Sequence, residues 1–208
     1  MKTGVLIHGY NVNSPNWQEV VWRKSPELIG RLPQGARVVS LIKPELIVFG
    51  TGASIKDGKV EAEIMRDYLL EYVDELAVLP DFLGIDLEKL RKRIAEISRL
   101  ETRSKNTFEE ILYSTRIFKD AGMEMIVSVS SPDHASRCMR DAMNIFSEIT
   151  DFRSYFGNFS VWPSQILYGE KGKWPVVVES PSRLYPVFQK LMSLPKEEQE
   201  QLIKKALG

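Results

Sequence analysis

Two segments of the chain combine charged and hydroxyl side chains with the start of an amphipathic helix. One runs from Arg103 to Glu110, and the other runs from Ser130 to Arg137. Helix N-termini carry unpaired N–H groups and a partial positive charge, so they attract anions. Each segment contains an arginine, and the second contains His134, one of only two histidines. The pattern predicts a site for a negatively charged ligand.

His134 and Arg137 are three residues apart, which places them on one helix face near its N-terminus. An arginine can hold a phosphate or carboxylate through two hydrogen bonds, and a histidine can donate a hydrogen bond or exchange a proton. A purely structural histidine is the alternative. Likewise, Asn106 followed by Glu109 forms a helix-capping signature that needs no ligand.

The turn Gly50-Thr51-Gly52 follows an apolar run and matches part of a nucleotide-binding turn. Ile55 stands where that turn has its third glycine, so a simple tight turn also explains the two glycines. Glu61 lies on the apolar face of the next predicted helix. A buried carboxylate needs a partner or shifts its pKa, although an acid at a helix start is also favoured by the helix dipole.

The turn His8-Gly9-Tyr10-Asn11 resembles the turn that helps to form the oxyanion hole of α/β-hydrolases. Such an enzyme also needs a Gly-x-Ser-x-Gly elbow, and neither Ser54 nor Ser131 lies in that pattern. The second histidine, His134, follows Ser131 too closely for the order serine, acid, histidine. The sequence therefore disfavours a serine hydrolase.

Metal-binding patterns are weak. The two histidines and the single cysteine, Cys138, are widely separated and match no zinc-binding spacing. A magnesium ion held by carboxylates and substrate phosphates is an alternative that the sequence leaves open. We therefore expect no metal site made by the protein alone.

Composition narrows the class of protein. A chain of 208 residues favours one domain. Lys+Arg and Asp+Glu both number 28, so net charge gives no argument for a nucleic-acid or acidic-membrane partner. One cysteine excludes an internal disulfide and suits a reducing compartment. Without an apolar run of about 20 residues or a signal-peptide pattern, we expect a soluble cytoplasmic protein, with an unknown oligomeric state.

Short apolar runs alternate with helical patterns, which predicts an α/β fold, a Rossmann-like three-layer sandwich with a mostly parallel sheet. Ligands of such sheets bind at the carboxyl ends of the strands. The stretch 38–42 is either a hairpin arm or a helix, and we favour a helix because too few residues precede the next strand for a crossover. Predicted strands are Val5–Ile7, Leu46–Phe49, Met125–Ser130, Phe159–Trp162 and Pro175–Val178; predicted helices are Lys59–Val73, Asp86–Arg99, Asn106–Ala121, one from Pro132, and C-terminal helices over 183–208.

Three motifs between Leu46 and Ala142 occur in an order and spacing that resemble the YdcF/SanA/ElyC family of bacterial α/β proteins. They are a strand with a glycine turn and a following helix, a serine–asparagine–threonine segment, and a serine–histidine–arginine segment. In this chain they read Val48-Phe49-Gly50 with Glu61 to Leu69, Ser104 to Glu109, and Ser130 to Arg137. The chain departs from the family pattern at the first turn, which has fewer glycines, and at Asp133, which replaces an aromatic residue.

The resemblance implies one Rossmann-like domain over residues 1–208, with a pocket formed by the matched residues. One family member is linked to S-adenosylmethionine binding and others to envelope biogenesis. SanA- and ElyC-like members carry membrane anchors, which we do not expect in this chain, so it looks closer to the soluble YdcF type. Residues 79–100 look like a helical insertion, and the helix within it could act as a lid.

The first hypothesis is a nucleotide-like anionic ligand, with S-adenosylmethionine the leading candidate and group transfer as a reaction it could serve. Its acid/base candidates are His134 and Glu61, the latter also suited to a ribose hydroxyl or amine. In the second, a phosphoester or pyrophosphate hydrolase, His134 protonates the leaving group while Glu61 or Glu109 positions water or magnesium. The third is a non-catalytic sensor. The candidate ligand-binding residues are Gly9, Asn11, Gly50, Thr51, Gly52, Arg103, Asn106, Thr107, Glu109, Ser130, Ser131 and Arg137.

Overall fold

Five parallel strands form the central sheet in the part of the chain that the structure describes. The computed structural model describes residues 1–25 and 28–165; the predicted strand Pro175–Val178 and the predicted C-terminal helices over 183–208 lie outside this part. In sheet order the strands are third, second, first, fourth and fifth. They are β1 (Thr3–Ile7), β2 (Leu46–Gly50), β3 (Ser98–Glu101), β4 (Met125–Ser130) and β5 (Phe159–Pro163).

Helices connect these strands and cover both faces of the sheet. Two short antiparallel hairpins, Arg23–Ser25 with Leu28–Ile29 and Ile55–Lys56 with Lys59–Val60, lie in the loops. Short 3₁₀ helices occupy Val73–Val78, Pro80–Phe82 and Thr150–Tyr155. The α-helices are α1 (Trp17–Val21), α2 (Arg31–Ile42), α3 (Glu61–Tyr72), α4 (Leu87–Ile97), α5 (Thr107–Asp120) and α6 (Pro132–Glu148).

The core consists of two apolar clusters, one on each side of the sheet. Val5, Ile7 and Phe49 point into the first cluster, together with side chains of α1 to α4. Leu6 and Val48 point to the opposite side, toward α5 and α6. Because neighbouring residues of a strand alternate between faces, each strand contributes to both layers. This arrangement confirms the predicted α/β fold, a Rossmann-like three-layer sandwich.

The strands end together at one edge of the sheet. Ile7 pairs with Phe49 on one side and with Val129 on the other, and Gly50 pairs with Glu101. The chain crosses from one side of β1 to the other between β3 and β4, so the strand order reverses between β1 and β4. A crevice outside the carboxyl ends of the strands at such a reversal is where open α/β sheets bind ligands.

The edge strand β3 corrects the sequence interpretation. The predicted helix extended to Arg99, but α4 ends at Ile97 and the next residues pair with β2. The segment 79–100, predicted to be a helical insertion, therefore contains the start of a strand of the central sheet. Its sequence, Ser98-Arg99-Leu100-Glu101, lacks the apolar run of a buried strand because an edge strand is only partly covered.

Two other predictions are confirmed. Residues 38–42 are helical as the last part of α2, which ends at Ile42 and is followed by Lys43 in a left-handed conformation. Asn106 caps α5, since its side-chain oxygen accepts a hydrogen bond of 2.9 Å from the Glu109 N–H.

Within residues 1–25 and 28–165, no helix combines the length and the apolar character needed to cross a membrane.

Candidate functional site

A cleft of about 670 Å³ opens at the carboxyl edge of the sheet. Its wall combines residues that follow β1, β2, β3 and β4, so four loops contribute to one space. The first residues of α3, α5 and α6 also reach it. Eight of the predicted site residues line the cleft: Gly9, Asn11, Thr51, Glu61, Asn106, Thr107, His134 and Arg137.

The two glycines of the turn after β2 do not line the cleft. A side chain at Gly50 would place its Cβ only 1.9 Å from Glu110 Oε1, and one at Gly52 would lie 1.9 Å from the Thr102 carbonyl oxygen. Both glycines therefore make room for neighbouring protein groups. Close approach of a ligand to the backbone of these two glycines stays a prediction.

Arg103 and Glu109 also lie elsewhere. The Arg103 guanidinium stacks 4.6 Å from the centre of the Tyr113 ring and lines a separate depression. The Glu109 carboxylate accepts a hydrogen bond of 2.8 Å from the Lys105 N–H and thereby supports the helix cap. Lys105 itself lines the cleft, and its Nζ donates to the Gly52 carbonyl oxygen at 2.8 Å. The sequence predicted that Arg103 supplies a positive charge to the site. In the structure, Lys105 supplies a positive charge to the cleft instead.

Glu61 is the first residue of α3, and its carboxylate is buried in the wall of the cleft. The Ser54 hydroxyl donates a hydrogen bond to this carboxylate. Burial raises the pKa of Glu61 to about 7; the hydrogen bond from Ser54 and the charge of Arg31 oppose this shift, and the charge of Glu110 adds to it. A carboxyl group with a pKa near neutrality can both take up and release a proton, which suits a general acid or base.

A second buried carboxylate, Glu110, lies beside Glu61. His8 Nδ1 lies 2.8 Å from Glu110 Oε2, and His8 Nε2 lies 2.7 Å from the Ser128 hydroxyl, both within hydrogen-bond distance. Burial alone would lower the pKa of His8, but the Cys138 sulfur and the Glu110 carboxylate, through charge and hydrogen bonding, raise it to about 10. His8 and Glu110 therefore form a buried, hydrogen-bonded pair.

His134 lines the cleft, but both of its ring nitrogens already have hydrogen-bond partners. The Thr107 hydroxyl lies 2.9 Å from Nε2, and the Ser130 hydroxyl lies 2.7 Å from Nδ1. Burial, followed by the positive charges of Arg31, His8 and Arg137, lowers the pKa of His134 to about 2. A ring that stays neutral across the physiological range cannot protonate a leaving group, so Glu61 suits the acid role better than His134.

Arg31 is a cleft residue that the sequence interpretation missed. It begins α2, and its side chain is buried. Nε donates to the Ser131 hydroxyl at 2.9 Å, and Nη1 donates to the Gly9 carbonyl oxygen. Ser131 therefore positions the Arg31 side chain from behind the wall of the cleft. Ser130 positions the His134 ring in the same way. The sequence contains a signal for a helix that begins at this arginine. The arginine directly follows Gly30, and the third residue of the helix is Pro33, a residue type that is favoured near helix starts.

Glu110 was missed because the buried stripe of α5 was assigned slightly out of phase. The apolar spacing of this helix predicts a stripe of Phe108, Ile111, Leu112, Thr115 and Phe118, but Phe108 is exposed, and Glu110, Ile111, Ser114, Thr115 and Phe118 form the buried face. If the buried face of α5 is centred on Ile111 and Phe118, Glu110 is expected to lie beside them. His8 was noted for its turn, but its contacts depend on pairing between strands that are distant in sequence.

The residues His8, His134 and Cys138 come together in space although they are far apart in sequence. One potential metal-ligand atom from each lies within 4.8 Å of the other two. Spacing along the chain, on which the expectation of no metal site rested, does not reveal this arrangement in space.

Compared with protein-family models, curated proteins and solved structures, the chain matches none of them. The resemblance to the YdcF/SanA/ElyC family stays a prediction from the sequence motifs.

Proposed function

We propose that the cleft binds a small molecule with an anionic, nucleotide-like part, and that Glu61 moves a proton in a reaction of that ligand. One observation supports this most strongly. Three basic side chains, Arg31, Lys105 and Arg137, line the same cleft as a buried carboxyl group whose pKa is raised to about 7. The basic groups suit an anion, and the carboxyl group suits proton transfer.

Helix N-termini strengthen the preference for an anion. Glu61 and Thr107 are the first residues of α3 and α5, and His134 is in the first turn of α6. Several of their first N–H groups donate to loop oxygens, such as Glu61 N–H to the Ser54 carbonyl and Glu109 N–H to the Asn106 side chain, so the attraction rests on the helix dipole, which adds a partial positive charge. Phosphate and carboxylate groups bind well at such ends.

S-adenosylmethionine is the leading candidate ligand on the strength of the sequence resemblance. Its carboxylate would pair with Arg31 or Arg137, and its ribose hydroxyls or amine would hydrogen-bond to Glu61. Transfer of a group to an acceptor is the reaction that this ligand would serve. Glu61 would then take the proton that the acceptor loses.

The two neighbouring carboxylates favour a second candidate, a phosphoester or pyrophosphate hydrolase. Gly9 lies between them: its N–H is 3.4 Å from Glu110 Oε1, and a Cβ at Gly9 would lie 2.1 Å from Glu61 Oε1. Oxygen atoms in such an arrangement suit a magnesium ion or an attacking water molecule. In this version Glu61, and not His134, exchanges the proton.

A thermal-shift screen of the purified protein tests the proposal. The panel contains S-adenosylmethionine, S-adenosylhomocysteine, nucleoside mono-, di- and triphosphates and pyrophosphate, each with and without magnesium. A ligand at 100 times its Kd stabilises the folded state by about 2.7 kcal/mol, which raises the Tm by roughly 5 to 10 °C for a chain of this size.

Two arginine variants show whether the cleft is responsible. Arg137→Ala removes a cleft cation, while Arg116→Ala removes an exposed arginine of α5 that lines the separate depression. We expect Arg137→Ala to weaken binding of the best ligand roughly 10- to 100-fold. Arg116→Ala should bind like the wild type. Equal weakening in both variants, or a flat panel, would contradict the proposal, and binding without turnover would identify a sensor.

A further inference from the structure

A buried cluster of His8, His134 and Cys138 adjoins the cleft. We propose that these three side chains bind a transition-metal ion of the zinc class. His8 directly follows β1, whereas His134 and Cys138 are four residues apart on α6 and therefore project from one face of that helix. One ligand atom from each residue lies within 4.8 Å of the other two. The proposal does not depend on the identity of the ligand in the cleft.

The donor atoms suit zinc chemically. Imidazole nitrogen and cysteine sulfur are its usual protein ligands, with bonds of about 2.0–2.1 Å and 2.3 Å. In a tetrahedral site these bond lengths place nitrogen and sulfur about 3.6 Å apart. The Cys138 sulfur and His134 Nδ1 are 3.4 Å apart, close to that value. The widest separation in the cluster, 4.8 Å, requires His8 to approach by about 1 Å.

Oxygen atoms on the outer side hold each imidazole in an orientation that suits metal binding. Glu110 Oε2 lies 2.8 Å from His8 Nδ1, which leaves Nε2 as the metal-binding atom. The Thr107 hydroxyl lies 2.9 Å from His134 Nε2, which leaves Nδ1, the nitrogen nearest the sulfur. Histidine ligands of zinc almost always have such a partner on the second nitrogen, because it fixes the ring and its tautomer.

Two serine hydroxyls complete the surroundings. Ser128 and Ser130 lie 2.7 Å from the ring nitrogens that would face the metal. Each serine side chain can change its χ1 rotamer to move the oxygen away from the ring, or its oxygen can supply a fourth, weaker ligand. The negative charge of Glu110 next to His8 favours a cation at this spot. His134 also lines the cleft, so the cluster adjoins it.

Cobalt titration of metal-free, reduced protein tests this proposal, with Zn²⁺ as competitor and Mg²⁺ as a hard-cation control. Ligands must lose their protons to bind, so the titration is run at about pH 8. The chain has one cysteine, so any sulfur-to-cobalt charge-transfer absorption must arise from Cys138. We expect this absorption to saturate at one equivalent of Co²⁺ and to be abolished by Zn²⁺ but not by Mg²⁺.

Cys138→Ser should remove the charge-transfer absorption. Ser136→Ala, an exposed change on the same helix, should keep it. Circular dichroism establishes whether each variant folds. If Cys138→Ser does not fold, the wild-type titration decides alone. Absence of the absorption in folded wild-type protein would overturn the proposal, as would equal absorption in folded Cys138→Ser. Co²⁺ bound only to surface carboxylates gives no such band and also counts against it.

Discussion

Replacing Glu61 with glutamine should change how the stability of the folded protein depends on pH. The pKa of this carboxyl group is about 7 in the folded protein and 4.5 without the influence of the fold. Between these values the folded state keeps the proton that the unfolded state releases. The free energy of unfolding of the wild type therefore falls as pH rises through this window, and the loss is complete above pH 7.

The magnitude follows from the size of the shift. Each unit of pKa difference corresponds to about 1.4 kcal/mol, so a shift from 4.5 to about 7 is worth roughly 3 kcal/mol. Glutamine keeps the shape and the hydrogen bond from Ser54 but has no proton to lose. The stability of Glu61→Gln relative to the wild type should therefore increase by roughly 3 kcal/mol between about pH 4.5 and pH 8.

Urea denaturation followed by circular dichroism, at several pH values between about 5 and 8, measures this difference. Glu96→Gln, on the exposed face of α4, is the matched control and should parallel the wild type. A constant offset between Glu61→Gln and the wild type over the whole range would refute the reasoning. It would mean that Glu61 is as readily ionised in the folded state as in the unfolded chain.

Two further changes test the elements that build the cleft. Asn106→Ala removes the side-chain cap of α5 and should lower the free energy of unfolding by about 1 kcal/mol in urea denaturation, and an unchanged midpoint would contradict the capping role. Gly50→Ala places a Cβ 1.9 Å from Glu110 Oε1, whereas Gly157→Ala meets nothing within 4 Å. We expect a large loss of Tm for Gly50→Ala and little change for Gly157→Ala, and similar Tm values for both would show that Glu110 can move aside.

The sequence was sufficient to predict the fold class because its main strands are buried. Val5–Ile7 and Leu46–Phe49 are continuous apolar runs, and each is covered on both faces in the structure. Such runs identify the central strands of a parallel sheet without knowledge of their partners. β3 was not predicted because Ser98–Glu101 lies at the edge of the sheet. An edge strand is only partly covered by neighbouring elements, so polar residues are tolerated there.

The site was predictable where a local signal existed. His134 and Arg137 follow a strand and open a helix, and both line the cleft. Glu61 was identified as an acid on an apolar helix face, and it is buried with a raised pKa. These inferences need only helical periodicity and the direction of the chain. They do not require knowledge of which distant segments meet.

The features of the site that the sequence did not reveal depend on contacts between distant segments. Arg103 and Lys105 are two residues apart, and only the course of the loop decides which of them faces the cleft. Gly50 excludes a side chain because of Glu110, which lies on another helix. The lowered pKa of His134, which disfavours its predicted acid role, follows from burial and from surrounding charges that the linear sequence does not reveal.

The most direct test of the central claim is nuclear magnetic resonance mapping of the cleft. Backbone amide signals of isotope-labelled protein are compared before and after addition of the best ligand from the thermal-shift screen. We predict that the largest changes fall in residues 9–13, 51–55, 105–107 and 131–137, which surround the cleft. Changes confined to the groove between α2 and α4, at residues 39–43 and 85–93, would contradict the account.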